Sequence, residues 1–273
     1  MNQGLNRLKE IPISTRLIKE IHKILLKGVR GSKKTPGEFR TNQNWIGNIN
    51  STLSNAEFVP PPPEEVNKHM SELENYIHSD DDLPALIKAA LIHAQFETIH
   101  PFLDGNGRLG RLLITFVLCS WNTIEKPLLY LSYFFKAHRT EYYARLMDIR
   151  NKGDWEGWIK FFLRAVAETA KIANYTAIEI HSIHNKDLTK INLNKPTPIM
   201  LQIFHKLCFF PIINISILEK HIKGSSQTTI QRAINNLEKI GIIKEITGQN
   251  RNRKYAYLEY LNALKRDTTT KVG

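Results

Sequence analysis

The 273-residue sequence predicts a mainly α-helical protein in two parts. The first is a helical bundle carrying one β-hairpin; the second is a small helical domain that ends in another hairpin. Three observations predict this. Apolar residues recur at three- and four-residue spacing through most of 1–184, with no run of strand-like alternation. Segment 41–63 breaks that period with Asn, Ser and Pro around two short apolar stretches. The charge is also unevenly spread. Residues 1–184 hold 23 Lys and Arg against 20 Asp and Glu, a net of +3, whereas 185–273 hold 15 against 6, a net of +9.

Leu17, Ile18, Ile21, Ile24 and Leu25 predict a helix over 14–28, with Ser14 as its N-cap. A basic, solvated loop follows from Gly28 to Lys34. Between Asn42 and Val59 the pattern predicts two short strands of a hairpin, with a polyproline exit at Pro60–Pro63. Helices are expected over 64–78 (Val66, Met70, Leu73, Ile77) and 83–97 (Leu86, Ile87, Ala90, Leu91, Ala94), where His93 reads as a core histidine. A buried helix starts near Asn106 or Gly107 and runs to about Trp121. Residues 128–135 are apolar and aromatic, read as a strand or a helix. Helices over 139–150 and from Asp154 to about His184 complete the first domain, 1–184.

Residues 185–198 are polar, end in two prolines, and read as a linker. In 199–273, helices are expected over 199–209, 214–222 and 227–240, with a break at Gly224 and a stop at Gly241. The stretches 242–246 and 254–257 then flank the basic tip Arg251-Asn252-Arg253. Two helices across a glycine turn, then a hairpin, resemble a winged helix-turn-helix domain. That resemblance makes 227–240 the recognition helix, with Gln227, Thr228, Gln231 and Arg232 facing outward and Arg251, Arg253 and Lys254 in the wing. The +9 surplus suits DNA phosphates, although such domains also mediate protein contacts. The two cysteines, Cys119 and Cys208, offer neither a metal spacing nor a disulfide framework, and no apolar stretch is long enough to span a bilayer. The expectation is a cytoplasmic protein with no membrane partner; monomer and homodimer stay open.

The chemistry concentrates in His100-Pro101-Phe102-Leu103-Asp104-Gly105-Asn106-Gly107-Arg108-Leu109-Gly110-Arg111. Glycines let backbone approach a ligand closely, and a helix start offers unpaired N–H groups and partial positive charge to phosphate. Arg108 and Arg111, three residues apart, share one face and can grip phosphate oxygens with paired hydrogen bonds. Asp104 is a hard oxygen ligand suited to Mg²⁺, and His100 is an imidazole able to act as base near neutral pH. No Walker or Rossmann context surrounds them.

This run resembles, at every fixed position, the HPFx[D/E]GNGRxxR signature of the Fic family. The resemblance implies a Fic-type helical bundle with a β-hairpin flap, and transfer of AMP from ATP to a Ser, Thr or Tyr hydroxyl on a target protein or on the chain itself. It makes His100 the base, Phe102 the residue packing the loop, and Asp104 the Mg²⁺ ligand. It assigns Gly105, Asn106, Gly107, Arg108, Leu109, Gly110 and Arg111 to the phosphates, and Tyr142 and Tyr143 to the adenosine side. The flap, about 41–63, would dock the target's main chain through Ile46, Gly47 and Asn48. Gly37-Glu38-Phe39-Arg40 resembles the stretch that precedes it. Gly107, where the related Doc kinases carry lysine, argues for AMP rather than γ-phosphate transfer. The family's inhibitory [S/T]xxxE[G/N] spacing has no match in this sequence, which implies restraint by another protein, an unrestrained enzyme with Arg111 free, or a truncated product. The alternative reading is a DNA-binding regulator whose Fic region senses nucleotide or is inactive.

Overall fold

Short helix α1 (Asn2–Leu8), absent from the sequence-based expectation, precedes α2 (Thr15–Leu25), and Ser14 caps α2 by accepting the Leu17 amide at 3.2 Å. The coordinates are a computed structural model that describes residues 1–29, 31–47, 50–127 and 130–269. They divide into two compact units, Met1–Ala170 and Lys171–Gly273.

After α2, the segment expected to be a hairpin shows, among its described residues, a single antiparallel bridge between Ile46 and Phe58, with a 3-10 turn at Leu53–Asn55. The two-strand expectation is corrected to that bridge. The Asn- and Ser-rich turn and the proline run offer few residues able to extend a ladder. A 3-10 turn at Pro63–Glu65 leads into α3 (Val66–His78). Next come α4 (Ala85–Ile99) and α5 (Asn106–Ser120), a helical hairpin joined by the six residues from His100 to Gly105. Helix α4 buries Ala89, Ala90, Ile92, Ala94, Phe96 and Ile99, residues spread around its circumference, so it runs through the middle of the core.

Helix α6 (Leu131–Ala137) settles most of 128–135 as helix; Leu128 and Leu129 lie outside the described residues. Helix α7 (Arg139–Lys152) and α8 (Trp155–Leu193) follow, and Asp154 caps α8 through the Gly157 amide at 2.9 Å. The buried Trp158 indole donates to the Ala90 carbonyl at 2.9 Å, pinning the start of α8 to the middle of α4. Because α8 runs through Leu193, residues 185–193, expected in the linker, are helical. Ile183, Asp187 and Ile191, four residues apart, are buried on one face. Asp187 accepts from the Tyr257 hydroxyl at 2.7 Å, a partner 70 positions away that makes a polar-looking stretch part of a core.

The second unit has α9 (Pro198–Leu207), β1 (Ile212–Ile213), α10 (Ile215–His221), α11 (Gln227–Lys239), β2 (Lys244–Glu245), β3 (Tyr255–Ala256) and α12 (Leu258–Thr269). Thr197, Asn214 and Ser226 each cap the helix that follows. The three strands are antiparallel in the order β1-β3-β2, with Ala256 facing both Ile212 and Lys244. The sequence pattern predicts the hairpin but neither β1 nor α12. A two-residue strand whose partner lies over forty residues away leaves no local period to detect. Among the described residues no helix is long and apolar enough to cross a membrane.

Candidate active site

His100 ends α4 in the left-handed conformation (φ 50°, ψ 57°), which turns the chain out of the helix and into the loop. Uncommon for a residue with a side chain, this conformation persists only when neighbours hold it. Arg40 holds it. The side chain of Arg40 is buried, and its guanidinium donates to the carbonyls of His100 (3.0 Å), Ile99 (3.3 Å) and Pro61, while its own amide donates to Pro101 O at 2.9 Å. A cation is thereby placed on the carbonyl end of α4, where the helix dipole favours it. Asn44 adds a bond to Phe102 O at 3.0 Å.

The loop is stapled from two further directions. Asn106, buried in the first turn of α5, accepts the Phe102 amide (2.9 Å) and donates to the Phe102 carbonyl (2.7 Å). His22, on α2, stacks on the Phe102 ring at 3.7 Å between centroids. Its Nδ1 accepts the Gly37 amide at 2.9 Å, so Nε2 carries the proton and donates to Asp104 O at 2.8 Å. Burial pushes the His22 pKa down, keeping this neutral tautomer. Nothing in the motif points to His22; the available signal was a histidine lying beside Ile18, Ile21 and Leu25 on an apolar helix face.

Gly105, at φ 86°, is the N-cap residue of α5, and the first intrahelical bond runs from the Leu109 amide to Gly105 O at 3.0 Å. The amides of Asn106 and Gly107 therefore stand ahead of that bond, at the positive end of the helix. Two of the residues expected at the phosphates are also engaged within the fold. The Leu109 amide is spent on the helix and its side chain is in the core. Gly110 packs on α4: a Cβ there would sit 2.6 Å from Glu97 Oε1. The Asn106 side chain holds the loop, leaving only its backbone to face an anion. Asp104 and Arg108 pair at 3.4 Å, each about one-third exposed, at the rim of the helix start. Arg111 lies one turn further on, its Nη1 3.1 Å from where a Cβ on Gly107 would be.

The imidazole of His100 is mostly buried. Its Nδ1 is buried beside the Glu97 carbonyl without completing a hydrogen bond. Burial, with the nearby Arg150 and Arg40 charges, pushes its pKa down to about 4. It is thus neutral at cellular pH, the state in which an imidazole can accept a proton. Beneath it Glu97, which the sequence did not single out, is buried between α4 and α5. Burial pushes its carboxyl up to about 7 against the pull of Arg111 and Arg150.

Residues 12–118 match the model of the Fic/DOC family. The chain is 30% identical over 166 residues to the protein adenylyltransferase Fic of Drosophila yakuba, and 29% identical to that of Drosophila melanogaster over the same length. Each match covers 59% of this chain and 30% of the relative, so the chain spans under a third of the length of these relatives. A Fic family protein from Desulfovibrio desulfuricans shares the fold, with a TM-score of 0.56 and 19% identity over 93% of this chain and 72% of that one.

Beside the start of α5, Arg111, Ser132, Phe135, Lys136, Arg139, Tyr142 and Tyr143 line a cavity of about 340 Å³. Both tyrosines expected on the adenosine side are thus brought to Arg111, in different roles. Tyr142 is core-bound, its hydroxyl 2.9 Å from Nε2 of the buried His93, while Tyr143 is exposed. In the flap, Ile46 makes the bridge and Gly47 adjoins it; Asn48 lies outside the described residues. In the second unit, Gln227, Thr228, Gln231 and Arg232 line a concavity of about 400 Å³ on α11. Gln227 and Gln231 share a second, of about 630 Å³, with Arg251 and Arg253; Lys254 is exposed but lies outside both linings.

Proposed function

We propose that the first unit transfers AMP from ATP to a Ser, Thr or Tyr hydroxyl of a protein. One observation carries this reading: a neutral, mostly buried histidine immediately precedes a helix start ringed by Arg108, Arg111 and Asp104, next to a tyrosine-lined cavity. The acceptor hydroxyl gives its proton to His100 Nε2 as its oxygen bonds to the α-phosphorus, and the bond from that phosphorus to the departing diphosphate breaks. Arg108, Arg111 and the amides of Asn106 and Gly107 stabilise the charge on the diphosphate. Asp104 offers a carboxylate about one-third exposed, which fits Mg²⁺, an ion held through one or two carboxylates and substrate phosphates. Bound there, Mg²⁺ would neutralise phosphate charge. The adenine would enter the cavity lined by Tyr142 and Tyr143, and a target would pair with the flap near Ile46 and Gly47. Incubating the chain with Mg²⁺ and ATP is expected to add the mass of one AMP to it or to an added protein. No mass gain while ATP binds would refute the reading.

A second reading concerns the other unit. Its helix, strand, two helices and hairpin support a winged helix, and the shared cleft of Gln227, Gln231, Arg251 and Arg253 supports DNA contact. Replacing Arg251 and Arg253 with alanine should weaken binding to duplex DNA. It should also flatten the log–log salt slope by about 0.9 for each phosphate that is no longer neutralised. A slope identical to that of the wild type would count against the wing as a phosphate-binding element.

A further inference from the structure

Arg150, on α7, belongs to no part of the motif, yet it touches two elements that must act together. Its Nη2 donates to Glu97 O at 3.2 Å and its Nε to Thr98 Oγ1 at 3.3 Å, on the last turn of α4 just before His100. The guanidinium also stacks over the Phe58 ring, 3.5 Å from its centroid. Phe58 is the flap residue that bonds Ile46 in both directions, N–H to carbonyl, at 2.9 and 3.1 Å. One rigid, planar group therefore clamps the flap bridge to the end of the helix that carries the base. Lysine could not replace it, because a single ammonium lacks both the fork and the stacking plane. Burial lowers the Arg150 pKa to about 10, so the clamp stays charged across the physiological range.

We infer that Arg150 is a positioning residue for the protein acceptor, holding the flap in register with His100 Nε2. The inference rests on the AMP-transfer reading above. If a target strand lies along the flap, the distance from its hydroxyl to the base is set by how the flap is held. Arg150 lines no part of the cavity beside Arg111, so its loss should bear on the acceptor and spare ATP.

The test uses the full chain, with a His100→Ala copy of the same chain as acceptor. In Arg150→Gln, hydrogen exchange at the Ile46 and Phe58 amides should rise at least tenfold. KM for the acceptor should rise about tenfold while ATP affinity stays within twofold. Arg150→Lys should recover little of either, and Phe58→Leu should reproduce the acceptor effect without adding to that of Arg150→Gln. Unchanged exchange at the two amides overturns the clamp. Equal loss of ATP and acceptor binding overturns its selectivity and leaves Arg150 as a cap of α4. Absence of any transfer by the wild-type chain strikes the AMP-transfer reading instead, and the exchange data still decide whether Arg150 holds the flap.

Discussion

His100→Ala is expected to lower AMP transfer by about 10²–10⁴-fold, the usual contribution of a positioned general base, while ATP binding is retained. The imidazole contributes no bond to the helix start, and the Arg40 and Asn44 bonds that hold the turn go to backbone carbonyls that alanine keeps. The pH profile provides a second arm. With its pKa held near 4, His100 stays neutral well below the ordinary histidine range. The rate should therefore hold down to about pH 5 and fall only as pH approaches 4, in contrast to the half-loss near pH ~6.5 expected of an unperturbed imidazole. Single-turnover assays with labelled ATP, beside titration calorimetry, separate transfer from binding. Transfer by His100→Ala at the wild-type rate would remove His100 from the base role.

Acid should destabilise the first unit sooner than its exposed carboxylates would suggest. His22, His93 and His100 all have pKa values depressed by burial, to about 3 for His93 and about 4 for His100. Each adds stability above its unfolded value near ~6.5 that is lost as pH falls from there. Glu97 acts in the opposite sense. Raised to about 7, it keeps its proton in the folded chain and gives it up on unfolding above its ordinary range, so it stabilises as pH drops. Near pH ~5.5 the unfolded chain binds close to two protons on His93 and His100, whereas the folded chain keeps one on Glu97. The net is about one proton, or roughly 1 kcal/mol of stability lost per pH unit, and the depressed His22 adds in the same sense. All four tryptophans lie in this unit, so fluorescence-monitored urea unfolding at pH 6.5 and 5.5 reads it directly. Stability that holds or rises across that step would contradict the burial of these groups.

Much of the first unit was legible in the sequence because its helices obey one local rule. Apolar residues repeat with the helical period, and Ser14 and Asp154 mark helix starts with side chains that accept amides one turn ahead. The motif was legible for a similar reason, since its turn and helix start are built from neighbours in the chain. What the pattern missed had distant causes. The helix through 185–193 depends on Tyr257 meeting Asp187, and β1 exists because β3 pairs with it. Leu109 and Gly110 sit inside the same twelve-residue run, yet the helix bond to Gly105 and the packing against Glu97 are contacts that its spacing did not reveal.

By itself the sequence determined which chemical groups arrive together: a histidine, a carboxylate, two glycines and two arginines at the mouth of a helix, where spacing alone sets their common face. Only the tertiary structure decided the state in which they arrive. The imidazole is neutral because packing buries one edge of it between Arg40 and Arg150, residues 60 positions before and 50 after. The loop is rigid because His22 and Asn44 reach it from outside the motif. Periodicity and turn chemistry are local and can be read along the chain, whereas desolvation and charge proximity arise only when remote segments fold against one another.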